Sequence, residues 1–281
     1  MIHKYWMACS DYTWPKLNHR TALTLIKGMG FDAVDIGLFY GASHILPEEV
    51  HRDFSATASR AMQLLDEVGI KAGDVFFTPG QTLESRAPNN PDPAERAAGF
   101  ELFTSSAQFA AQIGARGITL LPGIRFSGES YESAIDRSAQ SLRRFVDYGA
   151  SLGLEVSFEP HDQSCTDSPE RTMELVEKTE GLKVTLDASH YEYNGYGVDT
   201  YRELLPYVRH VQVRCARKGG MQTSLEENEI DLKSLLHYLA QDGYQGGLAC
   251  EYVWIKTWDC NRVDNVSETV LLKNHLLRIM E

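Results

Sequence analysis

Four short apolar runs in the second half of the chain end on, or carry, a side chain able to bind a cation. Glu159 follows Leu154–Phe158, Asp187 follows Lys183–Leu186, Gln212 lies within Arg209–Arg214, and Glu251 follows Gly247–Cys250. Taking a carboxylate out of water is costly unless it is paired or bound to a cation. Three carboxylates converging on one mouth therefore imply a cation. In Arg209–Arg214 the alternation of a strand puts His210, Gln212 and Arg214 on one face, and one of them is expected to complete the ligand set. Oxygen donors in the majority favour Mg2+ or Mn2+, while Co2+, Ni2+ or Zn2+ can occupy such a set. Taken singly, a Glu or Asp near a strand end is ordinarily a helix N-cap or a salt-bridge partner. The recurrence over four runs is what points to a metal. His210 reads as a core histidine, and His190 is balanced between a rim histidine and a functional one.

The elements that must position these residues follow from periodicity. Eight β-rich runs are predicted at His3–Ser10, Ala33–Leu38, Lys71–Phe77, Gly117–Leu121, Glu155–Pro160, Lys183–Ala188, Val208–Arg214 and Gly247–Tyr252. Helical periods lie between them, near Lys16–Met29, Pro47–Val68, Pro93–Ile113, Tyr131–Leu152, Pro169–Thr179, Asp199–Leu205 and Asp231–Asp242, with Asn265–Met280 last. Strands alternating with helices call for a parallel sheet, and this number of units predicts a single (β/α)8 TIM barrel spanning residues 1–281. Ser168-Pro169 reads as an N-cap with proline at the first helical position. Gly30, Gly69, Gly114, Gly153, Gly181 and Gly243 read as helix stops just before the next strand. The irregular stretches Pro79–Pro91 and Ala216–Glu229 follow strands three and seven, on the face where a barrel builds its pocket.

Composition narrows the partners. The 281 residues carry a formal charge of −12, a repulsive field for nucleic acid, whereas 43% hydrophobic residues suffice for a large core. Five widely spaced cysteines without a CxxC indicate neither a disulfide scaffold nor a thiolate zinc site and suit a reducing cytoplasm. No apolar h-region opens the chain and no run approaches 18 uninterrupted apolar residues, so no membrane segment is expected. Trp254 and Trp258, just past Glu251, offer aromatic faces that suit packing on a sugar ring or simply cover the barrel end.

Glu159-Pro160-His161, Leu186-Asp187-Ala188-Ser189-His190, His210-Val211-Gln212 and Gly246–Tyr252, with Gly30–Asp35 upstream, resemble the sugar phosphate isomerase/epimerase family of xylose-isomerase-like TIM barrels. The resemblance runs over nearly the whole chain, and its ordered ligand motifs recur at spacings of 28, 25 and 39 residues, each about one βα unit. It implies one divalent ion held by Glu159, Asp187, Gln212 and Glu251. It also implies a small-molecule carbohydrate substrate and a homo-oligomer, dimer or tetramer. The chain departs from ketose 3-epimerases in carrying His-x-Gln rather than His-x-His, as hydroxypyruvate isomerase does. It also lacks the further Glu those enzymes place after the first metal Glu; His161–Cys165 stands there instead.

The chemistry so implied is isomerisation or epimerisation of a small keto-sugar or hydroxy-keto acid through an enediolate, with Glu159 and Glu251 as acid and base. His190 would hydrogen-bond the carbonyl oxygen, and His161, Arg217 and Trp254 are candidate substrate contacts, Lys218 being an alternative to Arg217. The competing reading is a metal-dependent lyase or decarboxylase acting on a keto-sugar, such as a 3-keto glycoside or an oxo-sugar acid, through the same enediolate. A nuclease resembling endonuclease IV needs a trinuclear zinc site rich in histidine and a basic surface, and this chain has no His-x-His. A non-catalytic sugar-binding protein would not need a preserved carboxylate pair.

Overall fold

A computed structural model describes residues 5–281. Eight parallel strands close in chain order into one barrel: β1 Trp6–Ser10, β2 Ala33–Leu38, β3 Lys71–Phe77, β4 Gly117–Leu120, β5 Glu155–Phe158, β6 Lys183–Asp187, β7 Val208–Val213 and β8 Gly247–Cys250. The first run was expected to start at His3; His3 and Lys4 lie outside the described residues, and Tyr5 precedes the strand. The later strands stop one or two residues earlier than the apolar pattern does. Consequently Glu159 and Glu251 stand just beyond β5 and β8, and their N–H groups still bond the neighbouring strands, at the carbonyls of Leu120 (3.0 Å) and Val213 (2.9 Å).

The covering helices are α1 His19–Gly28, α2 Pro47–Arg52, α3 Phe54–Val68, α4 Pro93–Gln112, α5 Tyr131–Ser151, α6 Pro169–Lys178, α7 Ala188–Tyr193, α8 Leu232–Gln241 and α9 Asn265–Met280. The single helix expected over Pro47–Val68 is two. Asp53 interrupts it with φ −161° and ψ 86°, and its carboxylate caps α3 by accepting from Ala56 N–H. This is the familiar competition of a short acidic side chain with helical backbone. The segment expected to be helical over Asp199–Leu205 is a 3-10 run, Val198–Tyr207, with Pro206 inside it. All six glycines read as helix stops have positive φ, from 71° to 82°. At Gly69, for example, the N–H caps Leu65 and Asp66 carbonyls from a left-handed conformation that glycine adopts without a Cβ penalty. Ser168 and Pro169 start α6 as expected.

Outward strand residues such as Ile118, Val156, Phe158, Val184, Leu186, Val211 and Leu248 are buried in one continuous core. Each such side chain contributes about 1.5–3 kcal/mol through burial. The barrel interior carries a polar network instead, beside a small apolar cluster of Ala8, Ala33, Ala249 and Trp6. His210 Nε2 meets Asp35 Oδ2 at 2.6 Å, and Arg209 pairs with both oxygens of Asp74 at 2.9 and 3.0 Å. The hydroxyls of Thr119, Ser157 and Thr185 bond one another beside them. Pairing between β6 and β7 shifts so that Val184 faces Val208 while Thr185 faces His210. That irregularity lets the side chains of both Arg209 and His210 turn inward.

Candidate active site

Above this polar floor, register brings the expected ligands together. Asp187 pairs with Gln212 across β6 and β7, and Gln212 pairs with Ala249 on β8, so Glu251 lies one pleat step higher on the same face. Glu159, Asp187 and Glu251 are all buried and each offers an oxygen within 4.8 Å of the others. Asp187 combines two roles. Its Oδ1 accepts from Ser189 N–H at 2.9 Å and caps α7, while Oδ2 faces the Arg214 guanidinium at 2.8 Å without hydrogen-bond geometry. Glu251 Oε2 and Gln212 Oε1 are buried without a donor. Buried oxygens of this second kind carry the cost of lost hydration. A set of unsatisfied carboxylate and amide oxygens at one barrel mouth is the donor chemistry of a hard divalent cation.

Arg214 was one of three side chains on the seventh run considered for the ligand set. It is instead a cation inside the site. Its Nε donates to Ser189 Oγ at 2.7 Å, and its Nη2 stands 2.8 Å from Asp187 Oδ2 and 3.2 Å from His190 Nε2. Burial opposes ionisation of Asp187, yet Arg214, His190 and the Ser189 contacts hold its carboxyl below the usual range. Glu251 goes the other way. Burial pushes its carboxyl well above the usual range; Arg214 opposes this, and Asp187 and Glu159 reinforce it. A cation bound among these carboxylates would offset that shift and favour the ionised form of Glu251.

A cavity of about 150 Å³ opens on Glu159, Glu251, His161, His190 and Arg214, with aromatic walls from Tyr12, Phe39, Phe76 and Trp258. His161 is half-buried, its ring 4.3 Å from that of His190 and 5.4 Å from Trp258. Desolvation and the neighbouring His190 push its imidazole down to about 4. The β3–α4 loop, expected to shape the pocket, lines a space of about 270 Å³ that shares Phe39 and Phe76 with this cavity.

Two of the expected substrate contacts lie elsewhere. Arg217 is exposed, in a tight turn bridged to Gly220, and does not line the cavity. Trp254 is 42% exposed and lines a separate groove with Trp14, Leu17 and Val266. The tryptophan over the histidines is Trp258, held with Asp259 in the left-handed region at φ 52° and 57°. Gln222 fastens this loop, donating to the carbonyls of Val253 and Cys260 and accepting from Val253 N–H. Sequence reasoning missed Tyr12. It lies in a 3-10 turn, Asp11–Thr13, straight after β1, and donates to Glu251 Oε1 at 2.8 Å. Its position just past a strand end, like that of Glu159, was the available signal.

The sequence pattern of the xylose isomerase-like TIM barrel family matches residues 23–272. The chain belongs to that family. Among relatives of this xylose isomerase-like barrel, a candidate hydroxypyruvate isomerase of Homo sapiens is 24% identical over 256 residues, covering 86% of this chain and 87% of the relative. A D-psicose 3-epimerase of Clostridium cellulolyticum H10, solved with D-tagatose, superposes with a TM-score of 0.78 at 14% identity, over 98% of this chain and 99% of that one. A xylose isomerase-like TIM barrel protein of Mycobacterium smegmatis, solved in complex with magnesium, superposes with a TM-score of 0.75 at 12% identity, over 99% of this chain and 97% of that one. At these identities the superpositions establish the shared fold. Among the described residues no helix is long and apolar enough to cross a membrane.

Proposed function

We propose that this chain is a divalent-metal-dependent isomerase or epimerase of a small keto-sugar or hydroxy-keto acid, working through an enediolate with Glu159 and Glu251 as acid and base. The observation that carries this reading is the convergence of three buried carboxylates within 4.8 Å, beside a buried amide oxygen without a donor. Glu159, Asp187, Gln212 and Glu251 would hold the ion, Mn2+ or Mg2+ before Co2+, Ni2+ or Zn2+. When bound it supplies Lewis-acid stabilisation of the negative charge that develops on adjacent carbonyl and hydroxyl oxygens.

The residues of the chain supply the rest. Glu159 and Glu251 follow strands three apart in the ring and both line the cavity. One carboxylate removes a proton from the carbon next to the carbonyl and the other returns one, to the neighbouring carbon in isomerisation or to the opposite face in epimerisation. His190 faces N–H donors at both ring nitrogens, Asp162 N–H at Nδ1 (3.0 Å) and Arg214 at Nε2 (3.2 Å). A neutral imidazole has one acceptor nitrogen, so one contact must give way. The guanidinium can move and the backbone amide cannot. Nε2 then carries the proton and serves as a donor to a substrate oxygen. Tyr12, Phe39, Phe76 and Trp258 wall off the reacting carbon from water.

The test is a screen of keto-sugars, hydroxy-keto acids and 3-keto glycosides in D2O with Mn2+ and after chelation, followed by NMR. Solvent deuterium entering recovered substrate or isomer without loss of mass is the expected outcome. Turnover that survives complete metal removal defeats the reading, and net loss of CO2 or of a leaving group transfers the site to the lyase class.

A further inference from the structure

Tyr12 stands between two of the four residues assigned above to the metal, and the inference drawn from it rests on that assignment. Its hydroxyl donates to Glu251 Oε1 at 2.8 Å and accepts from Gln212 Nε2 at 3.0 Å. The same amide nitrogen reaches Glu251 Oε1 at 3.2 Å. Both amide hydrogens are thereby engaged. The atoms left without a partner are Gln212 Oε1 and Glu251 Oε2.

With a cation holding Glu251 ionised, the chain of donors has only one direction. An ionised carboxylate only accepts, so the hydroxyl donates to it and in turn accepts from the amide. This matters because a primary amide has two nearly isosteric ends. Turned by half a rotation, Gln212 would offer an NH2 group where a cation needs an oxygen. We infer that Tyr12 is the positioning residue that makes Gln212 a metal ligand, by fixing the orientation of its amide.

Tyr12 is itself tightly held. Asp11 Oδ1 accepts Gly37 N–H at 3.0 Å, which ties the turn to β2. The ring of Tyr12 packs 5.0 Å from Phe39 and 6.1 Å from Phe76. A Cβ at Gly37 would meet Tyr12 Cδ1 at 2.7 Å, so glycine there makes room for the ring. Tyr12→Phe keeps this packing and removes only the hydroxyl.

The experiment measures Mn2+ affinity by titration calorimetry or by the EPR signal of free Mn2+, in the wild type, Tyr12→Phe, Gln212→His and the double variant. Tyr12→Phe should weaken Mn2+ binding by about tenfold or more, the scale expected when an outer partner of a ligand is lost. In the Gln212→His background the same change should cost under about threefold, because the coupling partner is gone. Thermal unfolding of each variant checks that the fold is retained. Affinity unchanged in Tyr12→Phe overturns the inference while leaving the metal site standing. An equal loss in both backgrounds overturns it too, since Tyr12 would then act on Glu251 alone. A wild type that binds no Mn2+ fails the metal assignment itself.

Discussion

Nη2 of Arg214 lies 2.8 Å from Oδ2 of Asp187, yet that oxygen receives no hydrogen bond in suitable geometry. The guanidinium thus balances charge at the site without saturating the oxygen that a metal would use. Arg214 is the one arginine or lysine among the described residues that lines the cavity, and Arg214→Met removes its charge. Without metal the variant should be less stable by about 3 kcal/mol, the cost of leaving a buried charge unpaired. Mn2+ should raise its melting temperature by more than it raises that of the wild type. Calorimetric melting with Mn2+ and with EDTA checks both; equal metal-induced shifts would sink the argument.

Glu159→Gln and Glu251→Gln each remove one member of the acid and base pair while keeping size. Either should lower turnover by about 10²–10⁴-fold, the range of general acid–base catalysis. Proton exchange with solvent should fall with it. Deuterium incorporation by NMR at saturating Mn2+ separates lost proton transfer from lost metal, and full activity in Glu251→Gln would remove it from the mechanism.

The two tryptophans offer a direct comparison. Trp258 lies on the cavity with His161 and His190, whereas Trp254 lines another groove. Trp258→Ala should raise KM by about tenfold, the worth of one good aromatic contact. Trp254→Ala and Arg217→Ala should leave kcat and KM within about twofold, as surface changes usually do. Steady-state kinetics on the substrate found in the screen decides it. The reverse ranking would restore the expectation from sequence.

Asp74 predicts the acid limb of stability. Burial opposes its ionisation, but Arg209 and His210 with the Thr119 hydrogen bond hold its carboxyl below the usual range. A carboxyl with a lowered folded pKa contributes stability above its unfolded value near 3.8 and loses it as pH falls through the folded value. Asp74→Asn should therefore be less stable at neutral pH by about 3 kcal/mol, because Arg209 loses its charge partner. The difference from the wild type should shrink as pH drops below about 4. Chemical denaturation across pH 2–7 would reveal a constant difference if Asp74 plays no such part.

Much of this architecture could be read from the chain, for identifiable reasons. A strand buried on both sides writes itself as a short apolar run, and a polar residue at its end stands out; hence Glu159, Asp187 and Glu251 were found by pattern. Gln212 was fixed by resemblance, since alternation alone left His210 and Arg214 beside it. What stayed hidden depends on partners distant in sequence. Tyr12 meets Glu251 across 239 residues and Asp35 meets His210 across 175, and no local period encodes such pairs. Trp254 and Trp258 are indistinguishable by spacing because the loop after β8 turns twice through the left-handed region, which nothing about Trp258 or Asp259 announces.

The network beneath the site is built from Asp35, Asp74, Thr119, Ser157, Thr185, Arg209 and His210, and every one of these lies on a strand. No loop contributes to it. Platform and recognition are therefore separate parts: the loops after β3 and β8, which line the adjoining space and the cavity, can be exchanged or lengthened to admit a different molecule without redirecting a single bond in the floor beneath the ligands.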